Sequence, residues 1–275
     1  MALPIYASPV QRVWHYFFIV LCTAIFLYLL VPIFVIMPLS FNSEPYFSYP
    51  MEGYSLRWYE EFFTSDQWLL GLKNSIIVGV FATLVATTLG TLAALGLNRA
   101  DFRGKTAMMA ILISPIIIPI VITAAGMFYF YASIGLSSTL TGLVLAHAAL
   151  GVPFVVITVS ATLVGFDHNL VRAGASLGAN PVRVFFKVTL PMILPGVVSG
   201  ALFAFITSWD ELVVAIFLAG AEEHTLPRRM WSGIRELLSP TITAVATMLI
   251  LFSILLMVTM ELLRRRTERL RGIRN

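Results

Sequence analysis

Six strongly apolar stretches, separated by polar segments, run through the sequence. Each stretch has about 20 residues or more, which is the length that an α-helix needs to cross the hydrocarbon core of a bilayer, about 30 Å thick. The pattern predicts transmembrane helices over residues 14–38, 75–97, 107–131, 140–163, 196–218 and 242–263. We therefore expect an all-α, polytopic membrane protein with six transmembrane helices.

Small residues and prolines mark three of these stretches. The second stretch has a small residue at every fourth position, which favours the close approach of another helix. These positions are Ala82, Ala86, Gly90 and Ala94. The third stretch contains Pro115 and Pro119, and the fourth contains Pro153. Because proline removes a backbone donor, we expect these two helices to be kinked or interrupted.

The long connection between the first two stretches combines acidic and aromatic residues. The run 55–59 (SLRWY), followed by apolar residues, predicts a short helix at the membrane–water boundary, where Trp and Tyr are enriched. A purely structural surface helix and a contact for a second protein both remain open for this segment.

The composition excludes an ordinary soluble domain. Of the 275 residues, 59% are hydrophobic and only 12% are charged, whereas soluble proteins carry about 25% charged residues. Cys22 is the only cysteine, so an intrachain disulfide is impossible.

The distribution of basic residues predicts the orientation. With the N-terminus on the cytoplasmic side, 13 of the 18 Lys and Arg residues lie in cytoplasmic segments and five lie opposite. Because basic residues are enriched in cytoplasmic loops, both termini are predicted to be cytoplasmic. The chain then divides into a cytoplasmic N-terminus (1–13), a six-helix transmembrane domain (14–263) with a cytoplasmic loop at 164–195, and a basic tail (264–275). The net charge of +4 follows from this topology and requires no nucleic-acid partner.

The segment 164–195, called the central loop below, is the long polar interval that looks suited to binding a partner. A helical pattern over residues 169–177 meets a break at Gly178. A second helix is predicted to begin there, because Asn180 suits the N-cap and Pro181 suits the first helical position. The pattern indicates a helix–turn–helix at the membrane surface.

The run 173–179 (AGASLGA), followed by Phe186 and by Leu190-Pro191, resembles the EAA loop of bacterial ABC-importer permeases. The usual pattern of that family has one or two glutamates before the alanines. This chain has Val171 and Arg172 there, and Gly174 stands in place of the second alanine.

The resemblance implies the ABC type I importer permease fold and a set of partners in the bacterial inner membrane. In that family the EAA loop docks into a groove of a cytoplasmic ATPase. The assembly also contains a second permease subunit, two ATPase subunits in total and an extracytoplasmic solute-binding protein. The coupling residues that it implies here are Ala173, Gly174, Ser176, Leu177, Gly178, Asn180, Pro181, Arg183, Phe185 and Phe186.

Two adjacent acids lie inside the fifth predicted helix, in the run Ser208, Trp209, Asp210 and Glu211. Carboxyl groups within a membrane span are costly, and they mark functional sites by default. Neighbouring helix positions point about 100° apart, so both acids cannot face one point. No Lys or Arg lies in any predicted span. These residues either contact the substrate along its pathway or position the helices, and the sequence leaves both roles open.

The segment after the fifth span resembles the matching region of spermidine/putrescine permeases. The resemblance rests on the runs 225–227 (TLP), 231–233 (WSG) and 239–240 (SP), and on the earlier runs 103–105 and 209–211. It implies a permease for a polyamine such as putrescine or spermidine, with another small solute as the alternative. Glu223 and the region of Trp231 are candidates for contact with the binding protein.

The sequence lacks the residues of an ATPase or another enzyme. The run 104–106 (GKT) is not an ATP-binding loop, because the motif requires glycine at position 99, which is Arg99. The four histidines are scattered, without ligands at metal spacing. We therefore predict no enzymatic activity, no cofactor and no metal for this chain. The rival classes are an ion-coupled secondary transporter that uses Asp210, a passive channel and a non-transporting scaffold.

Overall fold

The structure is a computed structural model that describes residues 8–99, 101–236 and 238–270. Within these residues it is mostly helical, and its β-structure is limited to an isolated bridge between Asn42 and Tyr54. The helices are α1 (Pro9–Leu39), α2 (Arg57–Thr64), α3 (Asp66–Arg99), α4 (Lys105–Ile117), α5 (Ile120–Ser133), α6 (Leu140–Leu163), α7 (Asn169–Ser176), α8 (Pro181–Val184), α9 (Leu190–Trp209), α10 (Val213–Leu218), α11 (Leu226–Glu236) and α12 (Thr241–Leu270). A π-helical turn, Phe185–Thr189, joins α8 to α9. The predicted all-α class is confirmed.

Among the described residues, five helices are long and apolar enough to cross a bilayer. They are α1, α3, α6, the continuous helix Pro181–Trp209 that contains α8 and α9, and the part Thr241–Thr259 of α12. A further pair, α4 and α5, passes the same criterion only together, and it is bent by 105°. The described part of the chain therefore has five such helices, or six candidate spans if the bent pair crosses as one.

The bend between α4 and α5 lies at Pro119, one of the prolines where the sequence predicts a kink or an interruption. Ile118 has an extended backbone (ψ 135°), and Pro119 (φ −53°) directly precedes α5. Proline cannot donate the backbone hydrogen bond that would continue α4, so the helix breaks there. Pro115 lies inside α4, and α6 runs without interruption through Pro153.

Several helix boundaries differ from the sequence-based prediction. The first helix begins at Pro9 and not at residue 14, because Ser8 and Gln11 form a capping box. The last helix extends to Leu270, beyond residue 263. Residues 1–7 of the predicted N-terminal segment and 271–275 of the predicted tail lie outside the described residues.

The chain divides into two compact units, one with residues 1–64 and 233–250 and the other with residues 65–232 and 251–275. In the first unit, the connection after α1 folds onto α2. The side-chain amide of the fully buried Asn42 donates to the backbone carbonyl of Tyr46 (3.1 Å). The backbone carbonyl of Asn42 accepts from Trp58 Nε1 (2.6 Å). The guanidinium of Arg57 lies 4.1 Å from the centre of the Trp58 ring. The short helix predicted for this segment is confirmed.

The core of the second unit is built by α3, α6 and α9. All four small residues of the stripe in α3 are buried. A Cβ added to Gly151 of α6 would lie 2.9 Å from Cβ of Ala204 and 3.1 Å from Cβ of Ala86. The three helices therefore meet where their side chains are smallest, and the predicted close packing of the stripe is confirmed.

A second cluster holds α10 against α5 and α6. Val214, Ala215 and Leu218 of α10 are buried together with Tyr131 of α5 and Leu143 of α6. α9 is fixed in the core with α3 and α6, and α10 is fixed in this second cluster. The connection between them, residues 210–212, is therefore held at both ends.

Candidate functional site

The central loop forms the predicted helix–turn–helix. Beyond the end of α7, Gly178 has a positive φ of +81°, which glycine adopts without steric cost. The N–H of Ala179 donates to the carbonyl of Gly174 (3.1 Å), and the N–H of Gly178 donates to the carbonyl of Ala175 (2.9 Å). These two bonds form a Schellman motif, which satisfies the last carbonyls of the helix. The predicted glycine turn is confirmed.

The start of α8 also follows the prediction. The side-chain oxygen of Asn180 accepts from the backbone N–H of Arg183 (2.8 Å), and Pro181 is the first helical residue. At the start of α7, the carboxylate of Asp167 accepts from the N–H of Asn169 (2.9 Å). Asn180 therefore caps α8, whereas Asp167 forms an Asx turn just before α7, whose N-cap residue is His168.

One side of the central loop is closed by packing between its helices. A Cβ added to Gly174 would lie 3.2 Å from Cγ2 of Val184, a side chain that is itself only 4% exposed. Gly174 therefore lets α7 and α8 pack close together. Ala173 and Ser176 lie on the exposed side of α7.

The opposite side of the loop exposes large apolar side chains. Leu177 is 88% exposed, Val182 is 64% exposed and Phe186 is 59% exposed. Phe185 is half-buried, and its ring contacts that of Phe186 edge to face, with centroids 5.0 Å apart. Val182 and Phe186 are four residues apart and share one side of the helix. Exposed apolar surface of this kind is typical of a contact with another protein or with the membrane.

A π-helical turn lies between this exposed surface and α9. It spans Phe185–Thr189, and its last residue, Thr189, is 1% exposed. A π-turn accommodates an extra residue without breaking the helix, and such turns are frequent at functional sites. The loop and the long helix behind it are therefore one continuous element.

The four residues 208–211 lie at a break between two helices. α9 ends at Trp209, Asp210 has φ −96° and ψ 0°, and α10 begins at Val213. The prediction of one continuous helix through residue 218 is wrong at this point. The physical reason is Glu211, whose carboxylate accepts from the N–H of Val214 (2.9 Å) and so caps the first turn of α10.

The two acids therefore have different environments. Glu211 is 7% exposed and its carboxylate is engaged with the backbone of α10, where the helix dipole favours a negative charge. Asp210 is exposed, and no hydrogen bond or ion pair of its carboxylate occurs among the described residues. Of the two acids, Asp210 is the one whose charge is open to a ligand.

Ser208 and Trp209 fix the end of α9 to its neighbours. Ser208 Oγ and His147 Nδ1 are 2.9 Å apart, and both side chains are buried. This hydrogen bond joins α9 to α6 inside the protein. Trp209 stacks on Phe205 with ring centroids 5.7 Å apart and contacts Phe252 at 4.8 Å.

Sequence reasoning missed a set of polar residues that shape the connection after α10. Arg228 Nη1 donates to the carbonyls of Ala219 and Gly220, both at 2.6 Å. Burial lowers the pKa of Arg228, and nearby Glu223 raises it. Asn74 Nδ2 donates to the carbonyl of Glu222 at 2.8 Å. The bond of Asn74 joins residues 148 positions apart, and those of Arg228 span eight and nine positions, so neither forms a local sequence motif.

No group of three or more His, Cys, Asp or Glu residues that could hold a metal occurs within the described ranges. The geometry combines the central loop at one end of α9 with a polar break, residues 208–211, at the other end. The two features are joined by one helix, so a shift at one end of α9 can reach the other end.

Sequence comparisons connect this geometry with known proteins. Residues 86–269 match the family model "binding-protein-dependent transport system inner membrane component". The chain is 34% identical to the spermidine/putrescine transport system permease protein PotC of Haemophilus influenzae, over 89% of this chain and 95% of the relative. It is 32% identical to the putrescine transport system permease protein PotI of Escherichia coli K12, over 90% of this chain and 88% of the relative.

A solved structure has the same fold. A bacterial ABC transporter involved in the import of the acidic polysaccharide alginate aligns with a TM-score of 0.76 and 19% identity, over 94% of this chain and 99% of that chain. The family match covers more than half of the sequence, and it includes the central loop and residues 208–211. The chain therefore belongs to the family of inner membrane components of binding-protein-dependent transport systems.

Proposed function

We propose that this chain is the permease subunit of an ATP-driven importer that takes up a polyamine such as putrescine or spermidine. The observation that carries the proposal is the central loop, which exposes Leu177 and Phe186 beside the Gly178 turn and continues directly into a membrane helix. The family description, which names a binding protein and the inner membrane, supports the same role.

In this proposal the chain crosses the membrane six times, with α4 and α5 together as the third span. Both termini and the central loop face the cytoplasm, where basic residues are enriched. The predicted divisions 1–13, 14–263 and 264–275 describe this topology.

The central loop docks on a cytoplasmic ATPase, and ATP-driven movement of that ATPase reorients α9. Gly178 sets the turn, Asn180 and Pro181 start the docked helix, and Phe185 and Phe186 supply apolar contact. The remaining coupling residues of the proposed set are Ala173, Gly174, Ser176, Leu177 and Arg183. Because the loop continues into α9 through the π-turn, a displacement of α8 moves the end of the long helix.

A second permease subunit completes the pathway, and two ATPase subunits bind below the pair. The exposed carboxyl of Asp210 supports this arrangement, because an acid that faces lipid is costly whereas one that faces a pore is hydrated. On the opposite side of the membrane, Trp231 is 42% exposed and, together with Glu223, offers a surface to the solute-binding protein.

Residues 208–211 form part of the substrate pathway. Asp210 supplies an open negative charge, which attracts the ammonium groups of a polyamine, while Ser208, Trp209 and Glu211 hold the break in shape. The names of the relatives PotC and PotI support a polyamine. A methionine ABC transporter shares the fold, with a TM-score of 0.58, and another small solute is the alternative substrate.

Neutralisation of the two acids separates these roles. We expect Asp210→Asn to raise the KM of polyamine uptake about tenfold, which corresponds to the loss of one hydrogen bond to a charged group. Glu211→Gln keeps an oxygen that accepts from Val214, so we expect a smaller change. The measurement is the concentration dependence of uptake by the assembled transporter. If both variants transport like the parent, residues 208–211 do not contact the substrate.

Co-purification tests the importer class against its rivals. A tagged chain extracted from membranes is expected to bring down its ATPase subunits, and the ATPase activity of that complex is expected to rise when the loaded binding protein is added. A chain that purifies without an ATPase, and that drives uptake from an ion gradient, would instead be a secondary transporter with Asp210 as the coupling acid.

A further inference from the structure

The charge of the central loop is one-sided. Between residues 164 and 195 the sequence has three basic residues, Arg172, Arg183 and Lys187, and a single acid, Asp167. All three basic side chains are exposed, and none of them forms an ion pair with any residue that the structure describes. The carboxylate of Asp167 is engaged with the backbone at the start of α7. The loop therefore presents positive charge that the chain itself leaves unneutralised.

Two of the three basic side chains lie on the same helical segment as the apolar surface of the loop, and Arg172 is exposed on α7. Arg183 and Lys187 are four residues apart and share one side of the helix, as do their neighbours Val182 and Phe186. The inner side is taken by Val184, which packs on Gly174. An apolar row and a basic row are thus exposed next to each other, and a partner that covers the first also faces the second.

We infer that the partner surface is an apolar groove whose rim carries carboxylates, and that Arg172 is one of the residues that pair with this rim. The inference rests on the proposed function, because it describes the ATPase that the loop docks on. An acidic rim is the complement of three exposed cations, and such complementarity fixes the register of docking and speeds association.

A membrane surface with anionic headgroups is the competing partner for these cations. A helix that lies on lipid directs its apolar side into the bilayer and keeps its cations at the headgroups. The apolar residue Leu177 lies at the tip of the turn, 88% exposed, and Val184 faces α7. This arrangement suits a concave protein surface that receives the turn, and it fits a flat lipid surface poorly.

Charge reversal at Arg172 tests the inference. The complete transporter is reconstituted in discs of phosphatidylcholine, which has no net charge, and the affinity of its ATPase subunit for the permease pair is measured at low and high salt. We expect Arg172→Glu to weaken binding about fivefold at low salt, and Arg172→Gln about twofold, which is the range of exposed ion pairs. The matched control is Arg103→Glu, an exposed arginine outside the loop, which is expected to leave binding unchanged.

The outcomes separate this inference from the proposed function. Phe186→Asp places a charge in the apolar row and is expected to abolish ATPase binding. If Phe186→Asp abolishes binding while Arg172→Glu binds as tightly as the parent or more tightly, the loop docks but the rim is not acidic. If Phe186→Asp also binds normally, the docking itself fails. If the effect of Arg172→Glu appears only in discs with anionic phosphatidylglycerol, the cations bind lipid and the inference is overturned.

Discussion

Gly178→Pro is expected to reduce ATP-dependent uptake by more than about tenfold while the chain remains in the membrane and assembled. Gly178 has φ +81°, whereas proline fixes φ near −65°, and its N–H donates to the carbonyl of Ala175. The substitution therefore removes the Schellman motif and changes the direction in which α8 leaves the turn. A backbone conflict of about 1–3 kcal/mol at this point is enough to displace the docking surface. Uptake in vesicles and the thermal stability of the purified assembly are the two readouts.

A graded series provides the control for this prediction. No atom lies within 4 Å of a Cβ added to Gly178, so any effect must come from the backbone and not from a steric clash. Asparagine tolerates positive φ, and we expect Gly178→Asn to keep most of the uptake. Gly165→Ala, also in open space and without a positive φ, should behave like the parent. Full uptake by Gly178→Pro would show that the turn does not transmit movement.

Gly151→Leu is expected to prevent stable folding of the chain. The added side chain would be placed between Ala86 of α3 and Ala204 of α9, where even a Cβ lies 2.9–3.1 Å from its neighbours. Overpacking of a tight core costs about 1–3 kcal/mol. We expect a whole leucine side chain between three helix backbones to cost at least the upper value of this range. The measurement is the amount of folded chain in the membrane and its melting temperature after extraction.

Gly96→Leu is the matched control. Gly96 lies in α3, and a Cβ there would have no atom within 4 Å, so the variant should accumulate and melt like the parent. If Gly151→Leu were as stable as Gly96→Leu, the close approach of α3, α6 and α9 would not be the core of this unit.

The central loop could be predicted because its geometry is local. A positive φ requires glycine, a helix start favours asparagine, and proline is suited to the first turn; Gly178, Asn180 and Pro181 occupy these places. The small-residue stripe of α3 was predictable for the same reason, since a period of four places these residues on one face. The packing of Gly174 on Val184 could not be predicted, because it depends on how the turn brings two helices together.

The break after Trp209 could not be predicted from hydrophobicity. Residues 196–218 are apolar apart from a few polar positions, and an apolar run does not distinguish one helix from two short ones. What decides is a hydrogen bond between Glu211 and Val214, and this bond depends on α10 packing against α5 and α6. The sequence marks the two acids because carboxyl groups within a membrane span are costly, but their different environments emerge only from the three-dimensional contacts.

Proline had a variable effect for a related reason. Pro119 breaks the helix between α4 and α5, whereas α6 continues through Pro153. Pro153 is buried within the packed core, where neighbouring helices hold α6 in place, and Pro119 is exposed. The sequence shows where a backbone donor is missing, and the tertiary packing decides whether the helix continues.

The most direct test of the account is uptake of radiolabelled putrescine and spermidine into vesicles that contain this chain with the proposed partner permease, ATPase subunits and binding protein. The account predicts uptake that requires ATP on the side of the membrane where the ATPase subunits lie. This uptake also requires the binding protein, and it is lost with Gly178→Pro. Polyamine-independent but binding-protein-stimulated ATPase activity would contradict the substrate and leave the importer in place. Uptake that proceeds without ATP and tolerates Gly178→Pro would contradict the central claim.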